Sequence, residues 1–143
     1  MSEIISNNDG TATPSSVGGG AASMVISLAT LTTKYLQTSS TSYKSLAQFI
    51  YAGSNNIGAI TNFNVNAWGS SNGSFCVRFY DITNANVIAE IVDITSQDEF
   101  NIRSMGTIAN LPTTPAVIEI QGQRATGGGG SRLRISSVEL QYG

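Results

Sequence analysis

Apolar residues in this chain come in short runs broken by clusters of Gly, Asn, Ser and Pro, and from residue 23 onward no stretch keeps a helical period for three turns. Alternation is clearest where Phe63, Val65 and Ala67 interleave with Asn62, Asn64 and Asn66, and where Phe75, Val77 and Phe79 interleave with Cys76, Arg78 and Tyr80. A period of two sends one side of a strand into a core and the other toward solvent. The segments marked in this way are 24–32, 43–51, 57–68, 74–81, 87–94, 100–108, 116–123 and 132–142. Eight short strands at this spacing predict an all-β domain, an antiparallel sandwich of two sheets.

Several segments carry finer signals. In 43–51, Leu46, Ala47, Phe49 and Ile50 would also fit two turns of helix, but the strand reading is adopted. In the last strand Leu133 and Ile135 share one phase while Val138, Leu140 and Tyr142 share the other, which predicts a bulge or bend at Ser136-Ser137. Asp81-Ile82-Thr83-Asn84-Ala85-Asn86 joins two strong strands, and its Asp and Asn residues predict a hairpin or a short loop. Gly127 to Gly130 is expected to form a mobile hairpin tip. It lacks both the Lys-Ser/Thr ending and the following helix of a phosphate-binding loop. Residues 1–22, with Asn7-Asn8-Asp9-Gly10, Pro14-Ser15-Ser16 and Gly18-Gly19-Gly20, cannot bury enough apolar surface to offset their ordering entropy. They are expected to be a flexible arm, with Ile4-Ile5 able to order against a neighbour, ahead of a sandwich domain over 23–143.

Composition narrows the function. The 143 residues suit one domain, and a chain of that size buries roughly two thirds of its unfolded surface. Only 11% of the residues are charged and 41% are hydrophobic, so hydroxyls and amides must do most of the solvating. Such a surface is compatible with being covered by a partner. Seven Lys/Arg against nine Asp/Glu leave a net charge of −2 and no positive excess for phosphates, which argues against nucleic acid as a partner. The one tight basic pair, Arg132 and Arg134, reads as a solvated strand face. No Lys or Arg precedes Lys34, and the apolar run from Met24 to Leu31 is too short to span a bilayer, so neither a signal peptide nor membrane insertion is expected. With Cys76 alone there can be no internal disulfide, which fits synthesis in a reducing compartment. The sequon Asn72-Gly73-Ser74 carries little weight in a chain so rich in Asn and Ser.

Candidate chemistry is sparse. Without histidine there is no Ser-His-Asp or Cys-His nucleophile, and one cysteine cannot supply the ligands of a structural zinc site. Cys76 falls in mid-strand, the place of a packing residue. None of Asp81, Glu90, Asp93, Asp98, Glu99, Glu119 and Glu139 belongs to a motif for paired-carboxylate catalysis. Asp93 with Gln97-Asp98-Glu99 is the densest oxygen-rich region but lacks the alternating spacing of calcium loops. No enzyme activity, metal or cofactor is expected. Trp68, beside Asn64 and Asn66 and ahead of Gly69-Ser70-Ser71-Asn72-Gly73, offers an alternative role: an exposed indole among amides would make a sugar-binding platform. The plainer reading is a tryptophan capping the sandwich edge.

The run Ser74-Phe75-Cys76-Val77-Arg78-Phe79-Tyr80-Asp81-Ile82-Thr83-Asn84, with Val87-Ile88-Ala89-Glu90, resembles small jelly-roll proteins that build or decorate the particles of large DNA viruses and phages. Asn110-Leu111-Pro112, Ala116-Val117-Ile118-Glu119-Ile120-Gln121 and the closing Arg132-Leu133-Arg134-Ile135-Ser136-Ser137-Val138-Glu139-Leu140 look like the final strands of that class, and the likeness covers about residues 57–143. The closing strands also look like those of carbohydrate-binding jelly rolls. The resemblance implies a jelly-roll-like sandwich serving as a minor capsid, capsid-decoration or appendage subunit. Its partners would be copies of itself or a larger coat protein, with a glycan as the alternative ligand. Its place would be the virion, assembled in the host cytoplasm. No catalytic or binding residue carries over from it.

Overall fold

The computed structural model describes residues 5–6, 12–13, 22–28 and 33–142. Along the chain run β1 (Ile5–Ser6), β2 (Ala12–Thr13), β3 (Ala22–Ser27), β4 (Leu36–Thr38), β5 (Lys44–Tyr51), one helical turn α1 (Ser54–Ile57), β6 (Ile60–Gly69), β7 (Gly73–Asp81), β8 (Asn86–Ile94), β9 (Ile102–Ser104), β10 (Ala116–Gly127) and β11 (Leu133–Tyr142). Among the described residues, β1 and β2 pair with each other and with no other strand. The remainder form two antiparallel sheets of order β5-β10-β7-β8 and β3-β11-β6-β9, with β4 also pairing with β11. Taking β3 and β4 as one broken strand, the chain visits eight positions. The last two long strands insert between earlier ones, β10 between β5 and β7 and β11 between β3 and β6. That is the strand order of a jelly roll.

The alternating segments build the core as the period of two requires. Phe63, Val65 and Ala67 of β6 face Phe75, Val77 and Phe79 of β7, and Ile118, Ile120, Leu133, Ile135, Val138 and Leu140 complete a closed apolar interior. Phe63 and Phe79 meet edge to face at 4.0 Å between ring centres, the geometry that aromatic quadrupoles prefer. The phase change in β11 is a bulge: Ile135 pairs with Ala67 and Ser137 with Asn66, leaving Ser136 as the extra residue. Both apolar halves of the strand therefore reach the core.

One uncertain segment keeps its sequence reading, and several others depart from it. Segment 43–51 is a strand from Lys44, since Phe49 and Tyr51 turn inward while Gln48 and Ile50 are exposed along the β10 pairing; the helical alternative is not realised. Segment 57–68 begins only at Ile60, because Gly53 and Gly58, at φ 91° and 96°, bracket a single helical turn before it. Segment 100–108 shrinks to Ile102–Ser104, and Gly106 at φ 66° turns the chain away just after Met105 donates its N–H to the Phe63 carbonyl at 2.7 Å. Segment 116–123 runs on to Gly127, and three-residue β4 was not expected. Gly127 to Gly130 is not a hairpin tip, because it carries the chain from β10 in one sheet to β11 in the other. Of segment 24–32, β3 ends at Ser27, and residues 29–32 lie outside the described residues. So does most of the arm expected over 1–22.

Candidate interaction surfaces

The sheet β3-β11-β6-β9 turns a row of amides outward. Asn64 Nδ2 donates to Glu139 Oε1 at 2.8 Å, and Asn62 Nδ2 to Asn64 Oδ1 at 3.1 Å and Gln141 Oε1 at 3.2 Å. Asn66 Nδ2 reaches Ser136 Oγ at 2.7 Å, while Asn66 Oδ1 accepts the Asn101 N–H at 2.9 Å. The alternation that buries the odd residues of β6 thus places these even ones where β11 and the chain leading into β9 can bond them. Over this floor lies a shallow hollow of about 270 Å³, edged by Val25 on one flank and by Phe100 and Ile102 on the other. These rim residues are 64%, 81% and 76% exposed. An apolar rim around an amide floor suits a protein partner, with hydrogen bonding at the centre available only by exchange of the internal bonds.

Trp68 has the same phase as Asn64 and Asn66 but is only 4% exposed. Its ring and that of Tyr35 meet edge to face at 5.6 Å between centres, and the Arg134 guanidinium lies 4.5 Å over the Tyr35 ring. Arg134 is also the cross-strand partner of Trp68. The hollow takes in Asn64 and Asn66 but not Trp68, so the three residues share a face without forming one open site. Covering by Tyr35 could not be read from sequence, because Tyr35 lies in a connection with no strand pattern.

The opposite face, on β5-β10-β7-β8, carries the other polar cluster. The Arg78 guanidinium lies 3.9 Å from the centre of the Tyr43 ring and 5.0 Å from that of Tyr80, and its Nε donates to Gln121 Oε1 at 2.7 Å. Tyr43 reaches across the sheet to donate its hydroxyl to Glu90 Oε2 at 2.7 Å. Burial, then the Glu90 bond and its charge, push the Tyr43 phenol well above the usual tyrosine range. Nearby, Gln48 Nε2 donates to Glu119 Oε2 at 2.8 Å and holds that carboxyl below its ordinary value. Cys76 is buried on this face. Among the described residues, no three His, Cys, Asp or Glu side chains converge on a point, and no helix is long and apolar enough to cross a membrane.

No protein-family model matches the chain, and no curated protein matches it. Solved structures do. VP2 of infectious bursal disease virus, in its subviral particle, superposes with a TM-score of 0.50 at 13% identity, over 98% of this chain and 37% of that one. The Gt strain of the same virus gives 0.45 at 14% identity, over 98% and 37%, and a T=1 particle derived from the virus gives 0.44 at 14%, over 98% and 36%. The likeness is one of fold. This chain spans little more than a third of the length of the viral chains it matches.

Proposed function

We propose that this chain is a structural subunit of a virus particle, a minor capsid, capsid-decoration or appendage protein that acts through protein–protein contacts and performs no catalysis. One observation carries the reading: the jelly-roll strand order runs from Ala22 to Tyr142 and superposes on part of a viral protein solved as a particle. The surface agrees with it. Charges are few, and Val25, Phe100 and Ile102 stand exposed around one sheet face, an arrangement that a neighbouring subunit would cover. On this reading the partners are further copies of the chain or a larger coat protein, and the protein resides in the virion after assembly in the host cytoplasm.

The test is the mass of the purified full chain, measured by light scattering on a sizing column over a concentration series, with electron microscopy of the largest species. A discrete oligomer, or growth toward larger assemblies, is expected. A monodisperse monomer at the highest soluble concentration that also fails to sediment with coat particles would overturn the proposal.

A further inference from the structure

Most charges at the two lateral sides of the sandwich, among the described residues, are sorted by sign. One side, formed by β4 and β5, carries Lys34 just before β4, Lys44 at the start of β5, Arg134 stacked on Tyr35, and Arg124, whose Nε reaches the Ser39 carbonyl at 3.2 Å in the β4–β5 connection. The other side, formed by β8, β9 and the segment joining them, carries Glu90, Asp93, Asp98 and Glu99, all exposed. Glu119, bonded by Gln48 on the basic side, and Arg103 in β9 on the acidic side have the opposite sign, while Arg78, Asp81, Arg132 and Glu139 lie on or beside the inner strands β7 and β11.

Lys44 also stands at the height of part of the acidic set. Lys44 pairs with Gly122, Gly122 with Val77, and Val77 with Ile91, so the register places Lys44 level with a point between Glu90 and Asp93. Beside these carboxylates, a hollow of about 520 Å³ opens between β8 and the Ser104–Ala109 region. Strand directions add a third match. Every pairing from β5 through β10 and β7 to β8 is antiparallel, so β5 and β8 run in opposite directions. Each is an end strand of its sheet. A second copy related by rotation about an axis parallel to the strands would set its β5 antiparallel to the first copy's β8, the slightly more stable of the two orientations for edge pairing.

From this complementarity we infer that copies of the chain associate head to tail, the acidic β8–β9 side of one against the basic β4–β5 side of the next. The inference rests on the subunit reading above and specifies its contact. A two-fold contact is disfavoured, because it would set like charges together, whereas a head-to-tail contact repeats into a ring or a row.

Full-length chains carrying Lys34→Glu with Lys44→Glu, or Asp98→Lys with Glu99→Lys, provide the test, with self-association measured by sedimentation velocity at low and high salt. Wild type should associate at low salt and dissociate as salt screens the contact. Each variant alone should associate about tenfold or more weakly. An equimolar mixture of the two should recover association, because the native acidic side of one variant meets the native basic side of the other and the two exchanged sides are again opposite in charge. A misfolded variant could not be rescued in this way. If wild type associates while both variants do so equally well, this contact is wrong and the subunit reading stands. If wild type stays monomeric at every salt and protein concentration, the contact fails, and self-assembly fails with it.

Discussion

Tyr43 shows how a single side chain ties stability to pH. The side chain is half-buried, its hydroxyl donates to Glu90 and its ring carries the Arg78 guanidinium, and both burial and the carboxylate favour the protonated phenol. The folded chain therefore holds this proton at pH values where the unfolded chain, with tyrosines ionising near about 10, has released it. The stabilisation is complete below that value and is lost as pH rises above it. Tyr51 and Tyr142 are shifted in the same direction by burial. Urea titrations from neutral pH to about 11 should show stability falling above about 10. Tyr43→Phe should lose about 1 kcal/mol at neutral pH for the missing bond and fall less steeply in the alkaline range. Parallel curves for the two proteins would remove Tyr43 from this account.

At the scale of the element, β11 depends on one inserted residue. Leu133 and Ile135 lie before the bulge and Val138 and Leu140 after it, and all four are buried only because Ser136 absorbs the change of phase. Deleting Ser136 should turn one of these pairs to solvent, at about 3 to 6 kcal/mol for two such side chains, enough to unfold a domain of ordinary stability. Loss of the cooperative thermal transition is the expected result; a Tm within a few degrees of wild type would mean that the register slips at little cost.

That bulge was legible in the sequence because both halves of the strand alternate strictly. The same signal marked β6 and β7, whose opposite faces differ sharply in polarity. It failed where the rule of one buried face does not hold. Phe100 and Ile102, apolar residues of segment 100–108, stand on the outer face, and β4 is too short for a period to show. The order of strands was not legible either, since the insertion of β10 between β5 and β7 is set by contacts between distant parts of the chain. Of the candidate site, Asn64 and Asn66 lie on an accessible face, as alternation implies, but the covering of Trp68 depends on Tyr35 and Arg134, residues brought over it by tertiary structure.

Across the whole molecule, the two sheets share one interior: the core cluster draws on β5, β6, β7, β8, β10 and β11 together. Neither sheet has an apolar face of its own to fall back on, so the sandwich should unfold in a single step. Trp68 is the sole tryptophan and is buried near the β4 edge, so its fluorescence reports one sheet while far-ultraviolet circular dichroism reports both. The two denaturation curves should coincide under conditions where the protein is monomeric. An earlier change in fluorescence would mark the β4 edge as a separately melting unit.

The pairing of β3 with β11 has a topological consequence. Ala22, where the sandwich begins, is the cross-strand partner of Tyr142, where it closes. Directly opposed residues of an antiparallel pair are about 5 Å apart, so the domain is entered and left at one corner. A fold of this shape can be spliced into a surface loop of another protein, or have its ends joined and its chain opened elsewhere, without stretching either polypeptide.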